Sequence, residues 1–156
     1  MKEIKIRKYV SGDIDKICKL FYDTVHTVNA LDYTPAELDA WADGAPDKAK
    51  WDKEFTEREA LVAEYGGKLA GFADMDSSGY LDRLYVAADC VRKGVGSALL
   101  TALEARNPAA VYTTYASITA VPFFLKAGYV IIRENTVTRK GVTLKNYLMQ
   151  KIKPAD

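Results

Sequence analysis

The chain is poor in the features that announce a specialised class. It has two cysteines, Cys18 and Cys90, and one histidine, His26, in 156 residues. So few thiols argue against a disulfide-framed secreted scaffold. With no C-x-x-C pair they argue equally against a zinc cluster, so no metal site is expected. A reduced, cytoplasmic protein is the expectation. No apolar run approaches the length of a membrane span. The opening MKEIKIRKYV alternates charge with isoleucine and lacks the apolar core of a signal peptide. Neither sign of charge dominates: 22 Lys and Arg against 21 Asp and Glu leave a formal +1. That balance argues against nucleic acid as the main partner, and no membrane partner is expected. Internal repeats, low-complexity tracts and linkers are also missing, so residues 1–156 read as one domain. Two standard nucleotide motifs are absent. There is no G-x-x-x-x-G-K-[ST], and Leu99 stands where a G-x-G-x-x-G would need its third glycine.

What is present centres on Asp82 to Glu104, DRLYVAADCVRKGVGSALLTALE. Leu84, Tyr85 and Val86 read as the end of a buried strand. Gly94 and Gly96 open a segment in which Ala98, Leu99, Leu100, Ala102 and Leu103 form one broad apolar helical face. Glycine lets a backbone approach a ligand closely. The free N–H groups of a first helical turn make a ready anion site, and Arg92 and Lys93 add two positive charges. The stretch reads either as a phosphate cradle or as a plain tight strand-to-helix turn.

Along the chain, Ile4, Ile6 and Tyr9 alternate with charges over residues 3–9, a half-buried strand. Ser11 or Asp13 caps a helix running to about Asn29, with Ile14, Ile17, Leu20, Phe21 and Val25 on its apolar stripe. Thr34 and Glu37 form a capping box with Pro35 at the first helical position, predicting a short helix to Ala42. A further helix carries Trp51 and Phe55. Trp41, Trp51 and Phe55 are either core or the roof of a pocket. Strands at 60–65, 69–75 and 80–86 follow, separated by Gly66-Gly67 and by Asp76 to Gly79. After the glycine-turn helix come a strand at 111–115, a helix at 119–127 and a closing hairpin, 129–138 with 142–152. The order β-α-α-α-β-β-β-α-β-α-β-β predicts an α+β fold: a mixed, mostly antiparallel sheet of about seven strands with four or five helices on it.

That order, with the glycine turn after the third hairpin strand, resembles the GNAT (GCN5-related N-acetyltransferase) family. The family's acetyl-CoA signature, Q/R-x-x-G-x-G/A, reads here Val91-Arg92-Lys93-Gly94-Val95-Gly96, with Val91 in place of Gln or Arg. The second family motif, near A-x-x-F-Y-x-x-x-G-F, reads Ala120 to Tyr129, with Phe123, Phe124 and Lys126 inside it, and Ser117 stands where many members have Asn. The resemblance spans nearly the whole chain. DYTPAELDAWA and ASITAVPFF are similar to the small bacterial YafP-type branch. The resemblance implies that acetyl-CoA is the acyl donor. Its pyrophosphate would lie on the N–H groups of residues 92–97, Ser97 included. Its pantetheine arm would run like an added strand beside Leu84, Tyr85 and Val86. The strands 80–86 and 111–115 would be parallel neighbours that splay apart, with the thioester in the gap. Ser117, Phe123, Phe124 and Lys126 complete the cofactor side.

Acetyl transfer needs an unprotonated amine, and a lysine-like amine has a pKa near ~10.4. A base or a desolvating pocket must help, while the carbonyl oxygen needs a donor such as the Leu84 N–H. The family's usual tyrosine acid falls on Phe124, which holds no proton to give. Its two usual glutamate positions fall on Tyr80 and Tyr112, poor bases with a pKa of about 10. Asp82, two residues from Tyr80, is either a base or a salt-bridge partner. His26 is either a base, with a pKa near ~6.5, or a capped surface histidine. Tyr33 either orients an acceptor or anchors its loop, and Asn29 and Trp41 belong to the same wall. The acidic Asp32, Glu37, Asp39 and Asp43 hint at a cationic acceptor, a small-molecule or peptide amine. The leading reading is an acetyl-CoA-dependent N-acetyltransferase, monomeric or homodimeric. The alternatives are a non-catalytic acyl-CoA-binding module and a mononucleotide-binding regulatory domain.

Overall fold

The computed structural model describes residues 2–153. Seven strands form one sheet: β1 (Ile4–Lys8), β2 (Glu59–Tyr65), β3 (Lys68–Met75), β4 (Tyr80–Val86), β5 (Val111–Ser117), β6 (Val130–Arg139) and β7 (Val142–Ile152). Their order across the sheet is β1-β2-β3-β4-β5-β7-β6. Every neighbouring pair is antiparallel except β4 and β5, which are parallel. Five helices cover the two faces: α1 (Ile14–Thr27), α2 (Pro35–Trp41), α3 (Lys48–Glu57), α4 (Val95–Arg106) and α5 (Val121–Lys126). The expected α+β architecture is therefore the observed one.

Alternation along β2 shows how the layers are made. Leu61 and Ala63 point into a core shared with Leu99 and Leu103 of α4 and Phe124 of α5. Ala60 and Val62 point the other way, into a core shared with Ile17 and Val25 of α1 and Phe55 of α3. The sheet is thus sandwiched, with α4 and α5 on one face and α1 to α3 on the other.

Local signals fix most element ends. Thr34 Oγ1 accepts from Glu37 N at 3.2 Å and Glu37 Oε1 accepts from Thr34 N at 2.8 Å, so the predicted capping box forms. α1 stops at Thr27, and Asn29–Leu31 is a separate 3-10 turn rather than the helix's last turn. α5 starts two residues later than predicted, because Ala120 N donates to Ser117 O and to Ser117 Oγ, making a turn before the helix. No helix among the described residues is long and apolar enough to cross a membrane.

Candidate active site

The parallel strands β4 and β5 pair only at Tyr80–Thr113 and Leu81–Thr114. Thr114 Oγ1 donates to Leu81 O at 3.0 Å, and past that point the strands part. β5 goes on with β7, pairing Tyr115 with Leu148 and Ser117 with Asn146, while β4 stays with β3. A wedge opens between them. The register also slips once beside it. Asp74 pairs with Arg83 but Met75 pairs with Leu81, so Asp82 is an extra, unpaired residue: a β-bulge. The bulge lets Leu81 and Leu84 both face the α4 side while Tyr80, Arg83 and Tyr85 face the α1 side.

The backbone of β4 then offers unpaired groups to the wedge. Ala87 N donates to Ala70 O, so ladder alternation bonds Tyr85 and Arg83 to β3 and turns the N–H and C=O of Leu84 and Val86 toward the opening. Consistently, Val86 O accepts from Thr24 Oγ1 of α1 at 3.0 Å. Tyr85 thus leaves the expected cofactor track. Its N–H serves β3 and its ring lies on the α1 side, edge-on to Phe21 at 4.9 Å.

On the α4 side, the helix begins at Gly94, whose φ of 88° favours glycine. No side chain among the described residues caps this end, so the first-turn N–H groups of Val95, Gly96 and Ser97 stay available. Arg92 and Lys93 are exposed just before it, and Arg92 itself is left-handed at φ 61°. The Val95 side chain is core, so that residue has only its backbone to offer. A Cβ on Gly96 would lie 3.1 Å from the Phe123 ring, so this glycine lets α5 approach α4. Val91 and Lys126 are exposed at the two sides. Ser117 Oγ is engaged by Ala120 N at 3.1 Å and Asn29 Nδ2 at 3.4 Å, a structural turn at the tip of β5. Phe124 corrects an expectation. Only 4% exposed, its ring packs on Tyr129 in the core, so it does not line the wedge.

On the α1 side lie two joined cavities of about 470 and 1050 Å³. Trp41, Asp82, Tyr85 and Arg139 line both. The smaller is walled by the rings of Tyr33, Trp41, Tyr80, Tyr85 and Tyr115. Tyr33 is fixed there by two bonds: its hydroxyl donates to Lys145 O at 2.6 Å and accepts from Ile118 N at 3.0 Å. Tyr80 is half-buried against Tyr115, and burial, then the nearby Asp82 carboxylate, pushes its pKa up to about 12. It is a proton donor, not a base, at neutral pH. Asp82 Oδ2 meets Arg58 at 2.7 Å and Arg83 at 3.6 Å, which leaves Oδ1 free as an acceptor. Asp82 is therefore a salt-bridge partner, and it also lines both cavities.

Two other candidates are placed elsewhere. His26 lines neither cavity. Its Nε2 is 2.7 Å from Ala42 O, its ring lies on Tyr22 at 4.2 Å and Nδ1 is 4.0 Å from Asp39, so it clamps α1 to the end of α2. With Nε2 donating to that carbonyl, the remaining ring nitrogen, Nδ1, faces Asp39 rather than either cavity. Tyr112 is 1% exposed on the opposite face, its hydroxyl 2.9 Å from both Glu104 O and Asn107 O, so the wedge is out of its reach. Asn29 is buried behind Ser117. Sequence reasoning missed Tyr115, Arg58 and Arg139. Tyr115 was within reach, since period-two alternation separates it from Tyr112. The two arginines are far from Asp82 and Tyr80 in the chain, and no local signal brings them together.

A family model for the acetyltransferase (GNAT) domain matches residues 29–151. The chain is 31% identical over 150 residues to the uncharacterized N-acetyltransferase YafP of Escherichia coli (strain K12), spanning 96% of this chain and 97% of YafP. The crystal structure of a GCN5-related N-acetyltransferase from Rhodopseudomonas palustris matches at a TM-score of 0.90 and 34% identity, over 95% of this chain and 94% of that one. The PaiA N-acetyltransferase of Thermoplasma acidophilum, solved with coenzyme A, shares the fold at a TM-score of 0.79 and 19% identity, over 97% and 99% of the two chains. With the wedge, the uncapped α4 and these matches together, the chain belongs to the GNAT family of acetyl-CoA-dependent acyltransferases.

Proposed function

We propose that this chain transfers the acetyl group of acetyl-CoA to the amine of a small molecule by direct attack on the thioester, with Asp82 taking the amine's proton and Tyr80 hydrogen-bonding the departing sulfur. The observation that carries this is the wedge. It opens the sheet between an uncapped helix N-terminus on one side and an aromatic cavity on the other. The residues present fit the donor. The N–H groups of 95–97 with Arg92 and Lys93 would hold its pyrophosphate, and the free backbone groups of Leu84 and the Val86 N–H would receive its pantetheine arm. When bound, acetyl-CoA supplies an acyl group already activated as a thioester.

The chain's own groups do the rest. The Leu84 N–H, unpaired in the wedge, is placed to stabilise negative charge developing there. Asp82 Oδ1 accepts the proton of the attacking amine, directly or through a water, while Arg58 fixes the carboxylate. Tyr80 keeps its proton at neutral pH and steadies the departing sulfur by a hydrogen bond, which the buried Phe124 cannot offer. The thiolate, a weak base, leaves without a full proton, and the amine's proton passes from Asp82 to solvent. A cavity of about 470 Å³ suits a small acceptor better than a folded protein surface. We place the protein in the cytoplasm, supported by two buried, unpaired thiols, Cys18 and Cys90. The test is release of free thiol from acetyl-CoA across a panel of small amines, with the acetylated amine identified by mass. Amine-dependent release is expected. Tight acetyl-CoA binding with no release for any amine would contradict the reading.

A further inference from the structure

We propose that the acceptor is an aromatic amino acid, its carboxylate held by Arg139 and its ring in the smaller cavity. This rests on the transfer reading above and names its substrate class. The acidic residues that hinted at a cationic acceptor are spoken for. Asp43 is paired with Lys140, Asp32 accepts from Thr119 Oγ1 at 2.7 Å and Glu37 caps α2. Asp39 faces His26 across 4.0 Å. At the rim of the larger cavity Asp15 holds Lys48 at 2.8 Å and Asp23 holds Lys19 at 2.6 Å.

The smaller cavity is lined by two cations, Lys145 and Arg139. Lys145 is paired with Glu134 at 3.0 Å, whereas Arg139 enters no ion pair among the described residues. Arg139 is the last residue of β6, and the tight turn at Lys140 (φ 51°) and Gly141 (φ 77°) holds that strand end over the cavity mouth. Its planar fork of donors matches a carboxylate in two parallel hydrogen bonds. The other charged group that lines both cavities is Asp82, with Oδ1 free for an ammonium or amine. An α-amino acid carries both complementary charges. The rings lining the same cavity, Trp41, Tyr80, Tyr85 and Tyr115, favour a flat apolar side chain.

The experiment compares tryptophan with tryptamine and phenylalanine with phenethylamine, pairs that differ by the carboxylate alone. Thiol release gives kcat/KM, and isothermal titration of the protein without acetyl-CoA gives binding. Wild type should favour the amino acid in both readouts, and Arg139→Gln should lower each acid-to-amine ratio by about 10-fold or more. α-Amines lose their proton more readily than alkylamines, so the ratio in the variant is the baseline, not unity. Arg139→Lys should keep part of the preference. An unchanged acetyl-CoA affinity in both variants confirms folding. Equal ratios in wild type and Arg139→Gln, or wild-type turnover of the amines alone, would overturn this proposal and leave acetyl transfer standing. No release with any amine, acetyl-CoA being bound, would overturn the transfer reading and this proposal with it.

Discussion

A hydroxyl added at Phe124 would enter a sealed core. The ring is 4% exposed and lies against Phe123 at 5.1 Å and Tyr129 at 5.2 Å. Phe124→Tyr should therefore cost about 1–3 kcal/mol of stability, the penalty of a buried polar group without a partner, and should leave kcat/KM within roughly threefold. Urea unfolding and thiol-release kinetics check both halves; a turnover rise of about 10-fold or more would contradict it, because it would mean that position 124 reaches the reacting atoms. At this scale the sequence was only partly legible. That Asp82 and Tyr80 share a side was readable from their spacing, although the bulge that brings Arg83 and Tyr85 to the same side was not. Tyr112 was misplaced because β5 presents Thr113 and Tyr115, not Tyr112, to the acceptor side. For His26 the governing contact is a carbonyl at the far end of α2, 16 residues away, which no local pattern reveals.

Elements were easier to read than residues, since their signals are local. The capping box at Thr34, the glycine turns and the span of β4 all fall where the sequence places them. The wedge did not, except through the family resemblance. It depends on which strands are neighbours, and β5 leaves β4 for a strand about 30 residues further on. Nor does the bulge carry a glycine to mark it. The contact between α4 and α5 is the element-scale feature that a substitution probes best. A side chain at Gly96 must displace the Phe123 ring, 3.1 Å from its Cβ position, and so push α5 off the turn that offers its N–H groups. Gly96→Val should weaken acetyl-CoA binding by about 10-fold or more, roughly 1.4 kcal/mol at least, as read by isothermal titration. Gly12→Ala, where an added Cβ meets nothing within 4 Å, is the control and should bind as wild type does. Near-normal affinity in a folded Gly96→Val protein would contradict the cradle.

For the molecule as a whole, the floor of the acceptor side is a charge cluster that ties three elements together. Arg83 bonds Glu54 of α3 at 2.7 Å and Asp74 of β3 at 2.9 Å, and Arg58 bonds Asp74 at 3.0 Å and Asp82 at 2.7 Å. Three carboxylates share two guanidinium groups, and Asp74 Oδ1, fully buried, has no partner among the described residues. Burial pushes the Asp74 pKa up to about 6, against the pull of Arg83. A carboxyl raised in the folded state binds its proton more tightly there than in the unfolded chain. Its stabilising contribution is present below the unfolded value of ~3.9 and is lost as pH rises through about 6. The Asp74 contribution should therefore fall by about 1 kcal/mol between pH 5 and pH 7, and that slope should vanish in Asp74→Asn. Urea unfolding at the two pH values checks it, and identical slopes in the two proteins would contradict it. The same cluster fixes Asp82 at the wedge, where the donor's side of the sheet meets the acceptor's. The most direct test is therefore kcat/KM for the best amine of the panel, measured beside acetyl-CoA affinity, in Asp82→Asn. The account predicts a loss in kcat/KM of about 10²–10⁴-fold with affinity held within about twofold. Retention of more than about a tenth of wild-type kcat/KM, or a matching loss of acetyl-CoA affinity, would contradict it.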